Sequence, residues 1–231
     1  MGGIPSSPRC KTCQAPFRGP FRPLFAALGK APFAKNPNYC NQCYGWLTSR
    51  KGGAEVEISM LFADVRGSTP MAEQLGPARL AKVMDRFYGV GVDVLTRNDA
   101  LIERFMGDQV VGYFIPGFVG VGHARRAIKA AVELLAATRE AADGAAWVPV
   151  GVGVHTGVAY VGTVGSDVLE LTALGESVNV AARLASVAEG GQVLVSEAAF
   201  LASGLPGDPE RRDLTLKGVS TPVPVRVFAS P

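Results

Sequence analysis

The first acidic residue of this 231-residue chain is Glu55, and that fact constrains what the chain can build. Arg9, Lys11, Arg18, Arg22, Lys30, Lys35, Arg50 and Lys51 all precede it, so residues 1–51 are formally +8. The rest of the chain holds 15 basic and 20 acidic side chains, formally −5, and the net +3 conceals the split. All 4 cysteines lie in the basic segment. Its prolines, from Pro5 to Pro37, exclude long helices there. Two modules are expected: a basic one over 1–50 and a larger acidic one over 55–229, linked through Lys51-Gly52-Gly53.

Cys10-Lys11-Thr12-Cys13 and Cys40-Asn41-Gln42-Cys43 are two CxxC knuckles separated by 26 residues. That spacing reads as a tetrathiolate metal site. Zn²⁺ is the first choice, in a closed tetrahedral structural centre. A rubredoxin-like iron or an iron–sulfur cluster uses the same ligands and stays open as the alternative. A Pro-rich segment this small is expected to fold only with its metal. Its basic surface suits a regulatory protein partner or the acidic module itself. Phe17, Phe21, Phe25, Phe33, Tyr39, Tyr44 and Trp46 read as its small core and dimer contacts, which disfavours nucleic acid.

At 48% apolar and 19% charged residues, the chain is neither disordered nor fibrous. Met1 is followed by Gly, Pro and Ser rather than by the apolar run of a signal peptide. Gly144 to Ser166 carries no charged residue, but Pro149 and its many glycines argue against a membrane helix. Val150, Val152 and Val154 alternate with small residues, and His155-Thr156-Gly157 supplies a turn. The stretch predicts a buried β-hairpin over Val148–Val164. A soluble, cytoplasmic protein with no membrane partner is expected. His123 and His155 are isolated in the sequence and read as structural.

The acidic module begins with a strand ending at Asp64. A helical pattern over Thr69–Arg97 follows, broken near Gly76-Pro77. Two strands flank Met106-Gly107-Asp108, and an amphipathic helix runs over His123–Ala142. Further expected elements are a strand near Leu169–Leu171, a helix over Glu176–Ala188 and strands at 193–195, 214–216 and 223–228. The order β-α-β-β-α-β predicts an α+β sandwich of the ferredoxin-like type.

Asp64 and Asp108 each terminate an apolar strand. If those strands are neighbours, both carboxylates project at one edge and suit Mg²⁺ or Mn²⁺, with positions left for substrate phosphates. Val65-Arg66-Gly67-Ser68-Thr69 opens a helix whose first N–H groups can cradle a polyphosphate. Taken singly, either aspartate reads as a turn or cap residue. Asn179 and Arg183 sit one helical turn apart, opposite Val180, Leu184 and Val187, which are expected in the core. A neutral hydrogen-bonder beside a fixed cation suits ribose and a charged phosphorane, though an ordinary exposed helix face looks the same.

These pieces occur in the order Leu61-Phe62-Ala63-Asp64-Val65-Arg66-Gly67-Ser68-Thr69, Met106-Gly107-Asp108, Gly175-Glu176-Ser177-Val178-Asn179-Val180-Ala181-Ala182-Arg183, Leu216-Lys217-Gly218. Over about residues 55–229 the chain resembles the catalytic domain of class III nucleotidyl (adenylate/guanylate) cyclases. The resemblance implies a lyase that converts ATP to 3′,5′-cyclic AMP and pyrophosphate at a homodimer interface, with two Mg²⁺ or Mn²⁺ per site. It places the metals on Asp64, Asp108 and the Val65 carbonyl. Gly67, Ser68 and Thr69 take the phosphate-binding positions, Asn179 and Arg183 the ribose and transition-state positions, and Lys217 the terminal phosphates. In that family one subunit supplies the metal ligands and the other supplies Asn, Arg and Lys.

Base choice in the family rests on two positions, occupied here by Arg104 and Thr172. The first is usually Lys in adenylate and Glu in guanylate cyclases, and the second Asp or Thr for adenine. Arg is donor-only and serves adenine N1 as Lys would, yet its fork equally suits guanine O6 and N7 or a uracil carbonyl. ATP is favoured, with GTP or a pyrimidine triphosphate as alternatives. A different class of reading is a non-catalytic cyclase-fold dimer whose metal module binds nucleic acid or protein.

Overall fold

The computed structural model describes residues 8–140, 148–166 and 169–229. The chain falls into two units, Met1–Ala54 with Val161–Thr172, and Glu55–Tyr160 with Ala173–Pro231. Among the described residues no helix is long and apolar enough to cross a membrane.

In the first unit, α1 (Arg22–Phe25) runs into a π-helical turn (Ala26–Lys30), and α2 spans Asn41–Thr48. Prolines keep these pieces short, as Pro23 sits in the first turn of α1. Cys10, Ala15, Phe17 and Cys40 form the buried centre, against which Phe25 and Cys43 pack. Tyr39 is fully buried, and Phe33 stacks on Tyr44 at 4.1 Å between ring centroids. Phe21 and Trp46, expected in the core or at a dimer contact, are half exposed or more. Thr163 ties its part of the unit to the linker, donating to the Arg50 carbonyl at 2.5 Å and accepting from the Gly52 N–H at 3.2 Å.

The second unit is built on β1 (Gly52–Val65), whose first residues belong to the first unit. There follow α3 (Ser68–Leu75), α4 (Pro77–Arg97), β2 (Leu101–Met106), β3 (Gln109–Phe114), α5 (Pro116–Val119) and α6 (His123–Glu140). Residues 141–142 of the expected helix lie outside the described residues. The rest comprises β4 (Val150–Val164), β5 (Glu170–Leu174), α7 (Glu176–Val187), β6 (Gln192–Ser196), α8 (Glu197–Ser203), β7 (Arg211–Leu214) and β8 (Val223–Ala229). The sheet order is β2-β3-β1-β4-β6-β8-β7, with β5 pairing β4. The sub-order β2-β3-β1-β4, with α4 and α6 as crossovers, is the ferredoxin-like α+β core that the sequence predicts.

Strand alternation divides the core into two layers. Val193 and Val195 of β6 join a cluster with Phe87 and Val94 of α4 and Ile128 and Leu134 of α6. Leu194, between them, faces the opposite way and packs with Val180, Leu184 and Ala188 of α7. Helices α4 and α6 therefore cover one face of the sheet and α7 the other. Val187, expected in the core, is the last residue of α7 and is 50% exposed, while the buried set is Val180, Ala181, Leu184 and Ala185, continued by Ala188 at the C-cap.

The expected hairpin over Val148–Val164 is instead one continuous strand, β4, with no turn at His155-Thr156-Gly157. Thr156 points into the interior, where its hydroxyl lies 2.6 Å from Ser59 Oγ, which also bonds His123 Nδ1 at 2.9 Å. His155 bonds Ser196 Oγ at 2.8 Å, and burial pushes its pKa down to about 4, so it is neutral at pH 7. The glycines serve close approach rather than a turn. A Cβ at Gly153 would lie 2.3 Å from the Ala185 nitrogen and 2.6 Å from the Ala181 carbonyl oxygen. One at Gly151 would lie 2.6 Å from the Ala188 carbonyl oxygen. Helix α7 thus lies directly on the β4 backbone, and the neighbour atoms are main chain that cannot rotate away. Gly153→Ala is expected to destabilise the folded chain by about 2–4 kcal/mol, read as a lowered urea midpoint at unchanged slope.

Candidate active site and metal centre

Asp64 is the penultimate residue of β1 and pairs with Gln109 at the start of β3. The β2–β3 connection is tight, with Gly107 at φ +62°, and it returns Asp108 to the end of β1. The Val65 N–H donates to the Asp108 carbonyl at 3.0 Å, and the Tyr88 hydroxyl of α4 donates to the Gly107 carbonyl. The turn is fixed from both sides. Tyr88 is a site residue that the sequence pattern does not single out, since it reads as one more position of an amphipathic helix.

The two carboxylates are close enough to feel each other. Burial pushes the Asp64 carboxyl up, Arg66 pulls it down, and the charge on Asp108 pushes it up again. Asp64 Oδ2 is ion-paired with the Arg66 guanidinium. Asp64 Oδ1 is buried and accepts no hydrogen bond. Ser68 Oγ donates to Asp108 Oδ2 at 2.5 Å. A partnerless buried carboxylate oxygen beside a second carboxylate is a position that a hard divalent cation would stabilise, so the residues fit Mg²⁺ or Mn²⁺.

Gly67 adopts φ +70° to turn the chain from β1 into α3. A cleft of about 380 Å³ opens beside this turn, lined by Ser68, Thr69, Leu80, Met84, Gly107 and Asp108 among others. The structure therefore brings Asp64, Val65, Gly67, Ser68, Thr69 and Asp108 together. Asn179 and Arg183 are exposed on α7, and Lys217 is exposed after β7 beside the buried Leu216. None of these three lines that cleft. Arg104 lies on β2 opposite Val111, and its side chain is outside the described residues. Thr172 is buried in β5, in the first unit.

Four thiols meet in the first unit. The Sγ atoms of Cys10, Cys13, Cys40 and Cys43 all lie within 4.8 Å of one another, and all four cysteines are free. Cys13 and Cys40 are 3.8 Å apart. Tetrahedral coordination with metal–sulfur bonds of about 2.3 Å gives sulfur–sulfur edges of about 3.8 Å, so the cluster has the dimensions of a four-thiolate metal centre. The Cys40 N–H points to Cys10 Sγ at 3.3 Å and the Cys43 N–H to Cys40 Sγ at 3.4 Å. Burial raises the Cys10 thiol, but backbone N–H groups of Cys13, Cys40 and Thr12 outweigh it and hold the pKa at about 7. Burial and thiol neighbours raise Cys40 and Cys43 instead. The Cys10 thiolate therefore disfavours ionisation of Cys40 and Cys43 unless a cation shares their charge.

Comparison with known proteins closes the identification. The family model described as adenylate and guanylate cyclase catalytic domain matches residues 53–215. An uncharacterised protein of Mycobacterium tuberculosis is 31% identical over 188 residues, 76% of this chain and 33% of its own length. Adenylate cyclase 1 of Rhizobium meliloti is 31% identical over 134 residues, 55% of this chain and 20% of its own. The solved structure of the guanylyl cyclase Cya2 superposes with a TM-score of 0.73 at 31% identity, covering 78% of this chain and 94% of that one. The chain thus spans a third or less of the length of these two curated relatives. With its sheet order, its paired aspartates and its match over residues 53–215, the chain belongs to the adenylate and guanylate cyclase catalytic-domain family.

Proposed function

We propose that the acidic module, residues 55–229, is a homodimeric class III nucleotide cyclase that converts ATP to 3′,5′-cyclic AMP and pyrophosphate. The observation that carries this reading is the partition of the site. Asp64 stands beside Asp108, which lines the cleft with Ser68 and Thr69, whereas Asn179, Arg183 and Lys217 are exposed and do not line it. Each chain then presents two half-sites, and a second copy completes both.

Asp64, Asp108 and the Val65 carbonyl would hold the cation pair, and the N–H groups of Gly67, Ser68 and Thr69 at the start of α3 would receive the triphosphate. Two Mg²⁺ or Mn²⁺, when bound, would supply Lewis acidity that lowers the pKa of the ribose 3′-hydroxyl and offsets charge on the phosphate oxygens. Asn179 orients the ribose, Arg183 stabilises charge at the α-phosphate, and Lys217 holds the terminal phosphates. The 3′-hydroxyl gives its proton to solvent water and its oxygen bonds to the α-phosphorus as the bond to the β-phosphate oxygen breaks, releasing pyrophosphate. Arg104 donates to adenine N1 and Thr172 completes base recognition. GTP is the second reading, favoured by the likeness to a guanylyl cyclase and by the fit of an Arg fork to guanine O6 and N7. Residues 1–50 form a structural Zn²⁺ module, consistent with the tetrahedral spacing of its thiols.

Four measurements test the reading. Purified chain incubated with Mn²⁺ and each common ribonucleoside triphosphate is expected to yield a 3′,5′-cyclic nucleotide, most from ATP. Asp64→Ala and Asp108→Ala should each lower turnover at least roughly 100-fold, and substantial activity in either would contradict the metal assignment. Mixing Asp64→Ala with Arg183→Ala chains should restore partial activity through one intact site. No recovery in a verified heterodimer would rule out the shared geometry. Elemental analysis is expected to find zinc bound through the Cys10, Cys13, Cys40 and Cys43 cluster, lost in Cys40→Ser, whereas iron would overturn the zinc assignment.

A further inference from the structure

Arg66 has no role in the scheme above, yet it holds the most consequential contact in the site. Its backbone is pinned, with the N–H donating to the Pro149 carbonyl at 2.7 Å. Its guanidinium makes two separate engagements. One is the ion pair with Asp64 Oδ2, supplemented by Nε donating to the Asp64 carbonyl at 3.4 Å. The other is Nη1 donating to the Ser186 carbonyl at 2.6 Å. Ser186 lies in the last turn of α7, where carbonyls lack helical partners and the helix dipole is negative, so a cation there is stabilised twice over. Ser186 in turn donates its hydroxyl to the Arg183 carbonyl at 2.8 Å.

One planar fork therefore joins the carboxylate at the end of β1 to the end of the helix that carries Asn179 and Arg183. A divalent cation at the open Asp64 Oδ1 would share one carboxylate with the guanidinium already held on Oδ2, so the two positive charges repel, and the guanidinium has a second acceptor waiting in the Ser186 carbonyl. We propose that Arg66 is a positioning residue that acts as the counter-ion of Asp64 in the cation-free chain and shifts wholly onto the α7 carbonyl end when a cation binds. Metal occupancy is thereby transmitted to the helix bearing Asn179 and Arg183. This rests on the cyclase reading. In the homodimer that helix serves the opposite site, so filling one metal site alters the other site of the pair.

The test uses full-length, zinc-loaded chain without nucleotide. Mn²⁺ binding is followed by electron paramagnetic resonance, and amide hydrogen exchange is followed at residues 183–188. Arg66→Ala is expected to bind Mn²⁺ about fivefold to tenfold more tightly than wild type, the loss of one charged competitor. Wild-type chain should change its exchange at 183–188 on adding Mn²⁺, and Arg66→Ala should not. Arg66→Lys keeps the charge but not the fork, so its Mn²⁺ affinity should stay near wild type while the exchange response is lost. Unchanged or weaker Mn²⁺ affinity in Arg66→Ala, with a cooperative melt showing that it folds, overturns the proposal. Wild-type binding that disappears in Asp64→Ala tests the metal site separately. If wild-type chain binds no Mn²⁺ through Asp64, both readings fall.

Discussion

The antiparallel pairing of β1 with β3 is the contact on which the site depends. It runs from Ser59 opposite Phe114 to Asp64 opposite Gln109, and the next hydrogen bond, Val65 N–H to the Asp108 carbonyl, locks the last residues in register. A slip of one residue would turn Leu61, Ala63 and Val65 out of the core and swing Asp64 into it, so hydrophobic burial enforces the carboxylate geometry. The cost is a partly buried pair of like charges, visible as the upward push on Asp64. Arg66 offsets that cost within the chain, as a bound cation would.

The second constraint is the contact of α7 with β4. Gly151 and Gly153 remove the side-chain layer between helix and strand, which places α7 at a fixed distance from the sheet. Because its buried stripe is set by Val180, Ala181, Leu184 and Ala185, Asn179 and Arg183 must face outward. The same packing that stabilises the sheet's second face thus presents two polar side chains to solvent. Arg66 connects this constraint to the first, through Ser186.

The four-cysteine unit follows a different principle. Its apolar centre consists largely of its own ligands, Cys10 and Cys40, with Ala15 and Phe17. Burial that a larger core would draw from aliphatic side chains is supplied here in part by thiols, of which Cys40 and Cys43 are raised by burial and by the neighbouring Cys10. A cation shared by the four thiols would add to a centre this small a stabilisation that its few apolar side chains do not supply. Its eight basic residues before Glu55 are left for the surface.

Much of this was legible in the amino-acid order. Apolar runs located β1 and β3, which are buried on both faces, and period-3.6 patterns located α4 and α6, which bury one face against the sheet. The CxxC spacing announced the thiol cluster, and strand-ending aspartates announced the acidic pair. The sequence misled at Val148–Val164, where glycine reads alike whether it turns a chain or admits a helix, and at Val187, which has the spacing of the buried set yet is half exposed as the last residue of α7. Tyr88 and Arg66 were illegible as site residues, since each acts through a partner 19 or 120 positions away. By itself, then, the sequence singled out the candidate site residues and the two modules, since both follow from local pattern and composition. Only the tertiary structure decided that Asp64 lacks a partner on one oxygen, that Asp108 stands beside it, and that Arg66 bridges it to α7. Those facts depend on distances between segments that no local pattern encodes.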